Sequence, residues 1–224
     1  MPSNSVPSAS YLRLAFAVVA ICAVTIALWS LRQEYAAFRL TKLEPRDWYM
    51  GIRAPAPPRP LSVEGHYAIL SACDRALADP IADVMPLERR VLVARACAAA
   101  ARRTLAQSPN FALAHLVRAS ASTVEGDDAA TTAALLRAEA GAPGLTWMAA
   151  RRFDLARQLA HPDAALLARE IKRLAQSDLD DARKLSRRYL ATPSERVRVL
   201  AVVSELHVDA QAQFLSAVEE LLDP

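Results

Sequence analysis

The rhythm of hydrophobic and polar positions along this chain changes once. Over residues 11–31, YLRLAFAVVAICAVTIALWSL, apolar side chains run almost unbroken, and the sixteen positions of residues 14–29 carry no charge. With the flanking residues this predicts a helix long enough to cross about 30 Å of hydrocarbon. Arg13 can lay its stem along the helix and lift its guanidinium to the headgroups. Tyr11 and Trp29 stand near the two ends, where amphipathic rings settle. A cleaved signal peptide needs small residues behind the apolar run. Trp29 and Leu31 occupy those places, and Ile21 in front of Cys22 spoils a lipoprotein site, so the expectation is a retained span.

Beyond residue 31 the period becomes helical and punctuated. Residues 32–44 continue the helix until Pro45, and the prolines up to Pro60 then favour an extended, semi-rigid spacer. Trp48, Tyr49 and Met50 read as a hydrophobic anchor for that linker. From Ser62 onward almost every break has a cap beside it. Ser62 caps VEGHYAILSACDRALA and Pro86 opens LERRVLVARACAAAARRTLAQ, in which Ala94, Ala96, Ala98 and Ala99 invite a close neighbour. Asp127 caps DAATTAALLRAEAG with Gly141 placed to end it. Thr146, Ser177 with Asp180, and Thr192 with Pro193 and Glu195 supply further starts. The pattern predicts roughly seven to nine helices joined by short turns, with no strand-like alternation. The division is a tail over 1–10, a membrane helix over 11–31, a juxtamembrane helix and proline-rich linker over 32–61, and an all-α helical-hairpin domain over 62–224.

Composition narrows the function classes. Hydrophobic residues make up 53% and aromatics only 6%, an alanine- and leucine-rich mixture that favours helix. Five glycines leave little for a phosphate-cradling loop, and a net charge of +3 does not suggest nucleic acid. Cys22, Cys73 and Cys97 have no metal-ligand spacing, and Cys73 and Cys97 read as small buried thiols rather than a disulfide. His66, His115, His161 and His207 are scattered without a paired motif. No catalytic or metal site, cofactor or small-molecule substrate is evident, and the expectation is a protein without enzymatic activity.

The stretch SPNFALAHLVRAS, residues 108–120, ends one helix at Pro109-Asn110 and starts another at once. It resembles the junction between tetratricopeptide repeats, with His115 in the aromatic place and Ala119 where two helices touch. Weaker echoes are GAPGLTWMAAR, with Trp147 as the aromatic, and ARKLSRRYLATP, with Leu185 and Tyr189 inward. The period is irregular: Pro109 and Pro193 lie 84 residues apart, more than two ideal repeats. The resemblance covers about residues 70–205 and implies an alpha-hairpin solenoid that binds partner proteins. One span, a linker and such a domain also look like a class of single-pass bacterial inner-membrane assembly proteins. That likeness implies work in cytochrome c maturation, secretion or polysaccharide export, with the repeats in the periplasm. The basic residues Arg32, Arg39, Lys42 and Arg46 after the span argue instead for a cytoplasmic domain.

Two binding readings follow. In the first, a membrane-tethered scaffold holds a partner in a groove around His115, Arg118, Trp147, Arg151 and Arg152. Basic residues recur as doublets at 89–90, 102–103, 151–152 and 187–188, joined by Arg157, Lys172, Arg173, Arg183 and Lys184. They make either a solvated flank or a stripe facing an acidic partner segment or anionic lipid headgroups. In the second, the chain is a fixed subunit of a larger membrane or envelope complex. It is then held partly through Ala15, Ala17, Ala20 and Ala23 of the membrane helix.

Overall fold

A computed structural model describes residues 9–50 and 57–222, and within them every regular element is helical. The first helix, α1 (Ala9–Leu40), is unbroken over 32 residues. Its apolar side chains from Leu14 to Leu31 are exposed, and the segment Tyr11–Leu40 is long and apolar enough to span a membrane. Past Trp29 the same helix changes role. Ala37 and Leu40 are buried against the rest of the chain, so α1 is at once a candidate anchor and a structural strut.

The juxtamembrane segment is docked rather than free. In α2 (Pro45–Met50), Trp48 and Tyr49 are buried and the Tyr49 hydroxyl donates to the Ala76 carbonyl at 2.8 Å, while Met50 is exposed. The proline-rich segment, of which residues 51–56 and hence Pro55 lie outside the described residues, returns along α1. The Arg59 N–H donates to Gln33 Oε1 at 2.9 Å, and the Leu61 and Ser62 N–H groups donate to Glu34 Oε1 at 2.7 and 2.8 Å. Proline removes donors from this strand, and two polar side chains of α1 satisfy those that remain. The semi-rigid spacer is thus corrected, over its described part, to a strap bound to the strut.

α3 (Val63–Ala78) starts at Ser62, whose hydroxyl accepts from the Gly65 N–H. A Cβ on Gly65 would collide with the Glu34 carboxylate and Pro60. We expect Gly65→Ala to destabilise the strut contact by about 1–3 kcal/mol. The full-length protein should melt lower and be cut faster by trypsin after Lys42; an unchanged melt would remove this close approach from the account.

A short α4 (Ile81–Val84) leads to α5 (Leu87–Gln107), α6 (Ala112–Glu125), α7 (Asp128–Gly141), α8 (Thr146–Ala156), α9 (Ala164–Ala175), α10 (Leu179–Ala191), α11 (Pro193–Ser204) and α12 (Val208–Leu222). The packing is repeat-like. α3, α6, α8 and α10 touch in succession, and α5, α7 and α9 each pack on the member before and the member after. The last turn of the pattern is irregular: α12 lies mainly on α10, and α11 mainly on α9.

Several starts and stops depart from the sequence expectation. α10 is capped by Asp178, which accepts from the Asp181 N–H, not by Ser177. Thr192 precedes α11 but makes no side-chain cap, and Glu195 is buried with Oε2 unpartnered. The left-handed helix end is at Gly126 (φ 74°). Gly141 serves a close approach instead, since a Cβ there would stand 2.9 Å from the Asn110 carbonyl oxygen of the α5–α6 turn. Of the alanines in α5, Ala94 is fully buried beside Cys97 and Ala101, while Ala96, Ala98 and Ala99 lie at its edge.

That small-residue face has a covalent consequence. α3 and α5 approach until Cys73 and Cys97, both fully buried, stand 5.5 Å apart at Cα and are joined as a disulfide. This separation lies inside the range a disulfide spans without backbone movement. The expectation of two free thiols is therefore corrected. Cys22 is free and exposed on α1.

Candidate functional site

The basic residues converge more than their sequence spacing suggests. Arg151 and Asp154 on α8, with Arg157 and Gln158 just after it, share a cleft with Lys184, Arg187 and Arg188 of α10. Offsets of three and four residues put each set on one helix face. The end of α3 at Ala78 and Asp83 of α4 close the cleft, which measures about 470 Å³. α3, α8 and α10 all belong to the row of helices that touch in succession.

Five cations and two carboxylates line this cleft. Asp154 is shared between Arg188 Nε at 2.6 Å and Arg157 at 3.5 Å. Asp74, behind the wall, takes Arg151 Nε at 3.2 Å. Lys184 pairs with Asp181 at 2.6 Å. Burial raises the Asp181 carboxyl pKa, but hydrogen bonds from Lys184, Thr146 and Ser177 outweigh it and hold the group below its ordinary range. Arg187 is exposed and has no ion pair among the described residues. The cleft therefore presents preorganised guanidinium groups with one cation uncompensated, an arrangement suited to a carboxylate-bearing ligand.

The residues singled out from the sequence are dispersed. Only Arg151 lines this cleft. His115 is buried in another cavity, of about 600 Å³, with Pro109, Asn110 and Arg137. Its Nε2–H donates to the Pro109 carbonyl at 2.8 Å, tying α6 back over the turn before it. Burial lowers its pKa against that hydrogen bond, and Arg118 and Arg137 lower it further, so the ring is neutral at pH 7. Arg118 is half-buried and Trp147 partly exposed, and neither lines either cavity.

Arg152 is fully enclosed, with Nε and Nη2 donating to Glu170 at 2.8 and 3.0 Å. It offers no surface to a partner, because neighbouring residues on a helix diverge by about 100°. The sequence reading did not place Asp154, and the useful signal was the spacing of Lys184, Arg187 and Arg188 on one face.

On α1, Ala15, Ala17, Ala20 and Ala23 are all exposed. Ala17, Ala20 and Ala23 follow a three-residue spacing, whereas Ala15 lies about 200° around the helix from Ala17. Among the described residues, no group of three or more histidines, cysteines or carboxylates is placed to hold a metal ion. No protein-family model, curated protein or solved structure matches this chain.

Proposed function

We propose that this chain is a non-enzymatic, membrane-tethered scaffold. Its helices form a degenerate tetratricopeptide-like solenoid, and the cleft between α8 and α10 receives an acidic segment of a partner protein in cell-envelope assembly or export. The observation that carries this reading is the cleft itself: five cations on converging helix faces, with Arg187 left unpaired. Basic clefts of this kind give specificity and fast capture of acidic partners. The succession α3, α6, α8, α10 supports the solenoid, because in stacked hairpins such a row lines one shared surface.

The proposed location is the periplasmic face of a bacterial inner membrane, with α1 as the single anchor. The Cys73–Cys97 disulfide supports it, since such bonds persist in oxidising compartments and are rare in the cytosol. It weighs against the basic residues that follow the span.

The test is capture of partners by the full-length protein, tagged at its C-terminus and solubilised in mild detergent, alongside an Arg157→Glu/Arg187→Glu variant. The wild type should retain a partner rich in Asp and Glu and release it as salt rises. The variant should bind it about tenfold or more weakly. Equal capture by the variant would sink the cleft reading. A salt-resistant set of membrane proteins in fixed ratio would instead make the chain a structural subunit.

A further inference from the structure

A second cluster of cations lies where α1 leaves the membrane. A cavity of about 350 Å³ is walled by Trp29 of α1, Arg59 and Leu61 of the strap, His66 of α3, and Arg103 and Gln107 of α5. Its depth follows from α1. The uncharged, exposed run over residues 14–31 rises about 27 Å at 1.5 Å per residue, close to the hydrocarbon thickness of a bilayer. Trp29 stands in the last turn of that run and Arg32 is the first charge beyond it. A cavity walled by Trp29 therefore opens at headgroup level.

The position of Arg59 is set by the strut. Its backbone N–H is held by Gln33, one helical turn beyond Trp29. The nearby carboxylate of Glu34 does not neutralise the cluster: its oxygens accept from the N–H groups of Leu61 and Ser62 and from the Ser62 hydroxyl. His66 is likewise occupied, with Thr104 at Nδ1 and Gln107 at Nε2. Arg59, Arg102 and Arg103 have no ion pair among the described residues, and Arg103 donates only to the Pro57 carbonyl, at 3.3 Å. Burial, then the charges of Arg59 and Arg102, lower the Arg103 pKa. Three guanidinium groups thus repel one another around a hollow that no protein anion fills.

We infer that this cavity binds the phosphate of an anionic phospholipid, with Arg59 and Arg103 on the phosphate oxygens and Trp29 against the glycerol and upper acyl chain. Guanidinium forks suit phosphate geometry, and an interfacial tryptophan matches the boundary between headgroup and chain. Bound lipid would fix the height and tilt of the domain above the membrane, independently of what the α8–α10 cleft holds.

The experiment uses the full-length protein in neutral detergent micelles, titrated with phosphatidylglycerol or phosphatidylcholine, with the melting temperature as readout. Phosphatidylglycerol should raise it saturably and phosphatidylcholine should not. Arg59→Gln, at an exposed position, should weaken the apparent lipid affinity roughly fivefold, and Arg59→Gln/Arg103→Gln roughly thirtyfold. Arg137→Gln/Arg198→Gln, which removes two exposed charges elsewhere, should leave it unchanged. If the double variant at the cavity misfolds, the single Arg59→Gln variant decides.

Retained affinity in Arg59→Gln would overturn the site, as would equal weakening in the distant control. If millimolar inorganic phosphate alone reproduces the rise and abolishes the lipid effect, the cavity is a site for soluble phosphate and the lipid assignment fails.

Discussion

Replacing Arg152 with methionine is expected to cost the domain about 3–5 kcal/mol, the range for removing one partner of a buried ion pair. Both Arg152 and Glu170 are fully buried, and the two guanidinium–carboxylate hydrogen bonds join α8 to α9. Arg152 also donates to the Ala142 carbonyl at 3.3 Å, reaching the end of α7. Without it, Glu170 keeps only the half-buried Arg173, at 2.9 Å. The network continues outward, where Glu139 accepts from Arg169 and Arg173. Hydrogen bonds from Arg169, then Arg173, outweigh burial and hold the Glu139 carboxyl below its ordinary range.

The cost of the single change is therefore an uncompensated charge, not the net worth of the pair. Arg152→Met/Glu170→Leu should recover much of the loss, because two packed apolar side chains need no counter-charge. Urea denaturation of the wild type, both single variants and the double variant closes the cycle. Arg151→Met, beside it in sequence, should shift the midpoint far less, since its pair with Asp74 is partly open to water. Equal effects at the two positions would contradict the burial contrast on which this rests.

That contrast also marks where the sequence stops being legible. Element starts carried local chemistry, so the bounds of α3, α5 and α7 could be read from Ser62, Pro86 and Asp127. The long apolar run likewise announced α1. α9 was not named, although Asp163 caps it and Leu166, Leu167, Ile171 and Leu174 make its buried face at helical spacing. The information was there, in a segment whose charged residues dominate at first sight.

Other features lie between elements and leave no local trace. Nothing near Arg152 names Glu170 as its partner, and adjacent arginines in a doublet must point to different faces. Proline content told of an extended strap but not of the Gln33 and Glu34 acceptors that bind it. The cleft was half legible: its cations were noted as doublets, yet only the packing of α8 on α10 shows which member of each doublet faces the other helix.

The Cys73–Cys97 bond is the second large effect expected, and it bears on location as well as stability. Closing a loop across 24 positions restricts the unfolded chain by about 3 kcal/mol in the loop-entropy account. For a domain of this size each kcal/mol moves the melting temperature by roughly 2–4 °C, so Cys73→Ala/Cys97→Ala should melt about 10 °C lower. Reductant should lower the wild type similarly and leave the variant unmoved. A reductant effect that persists in the variant would assign the stabilisation to something other than this bond.

The same thiols report the compartment. Cells quenched in acid, denatured and treated with a maleimide mass tag should show one adduct per chain, at Cys22, if the domain matures where disulfides form. Three adducts would mean that Cys73 and Cys97 are reduced in the cell, as cytosolic thiols are. The domain would then stand on the cytoplasmic side, where the basic residues after the span would put it. In that event the periplasmic part of the proposal falls, while the basic cleft and the lipid site keep their own tests.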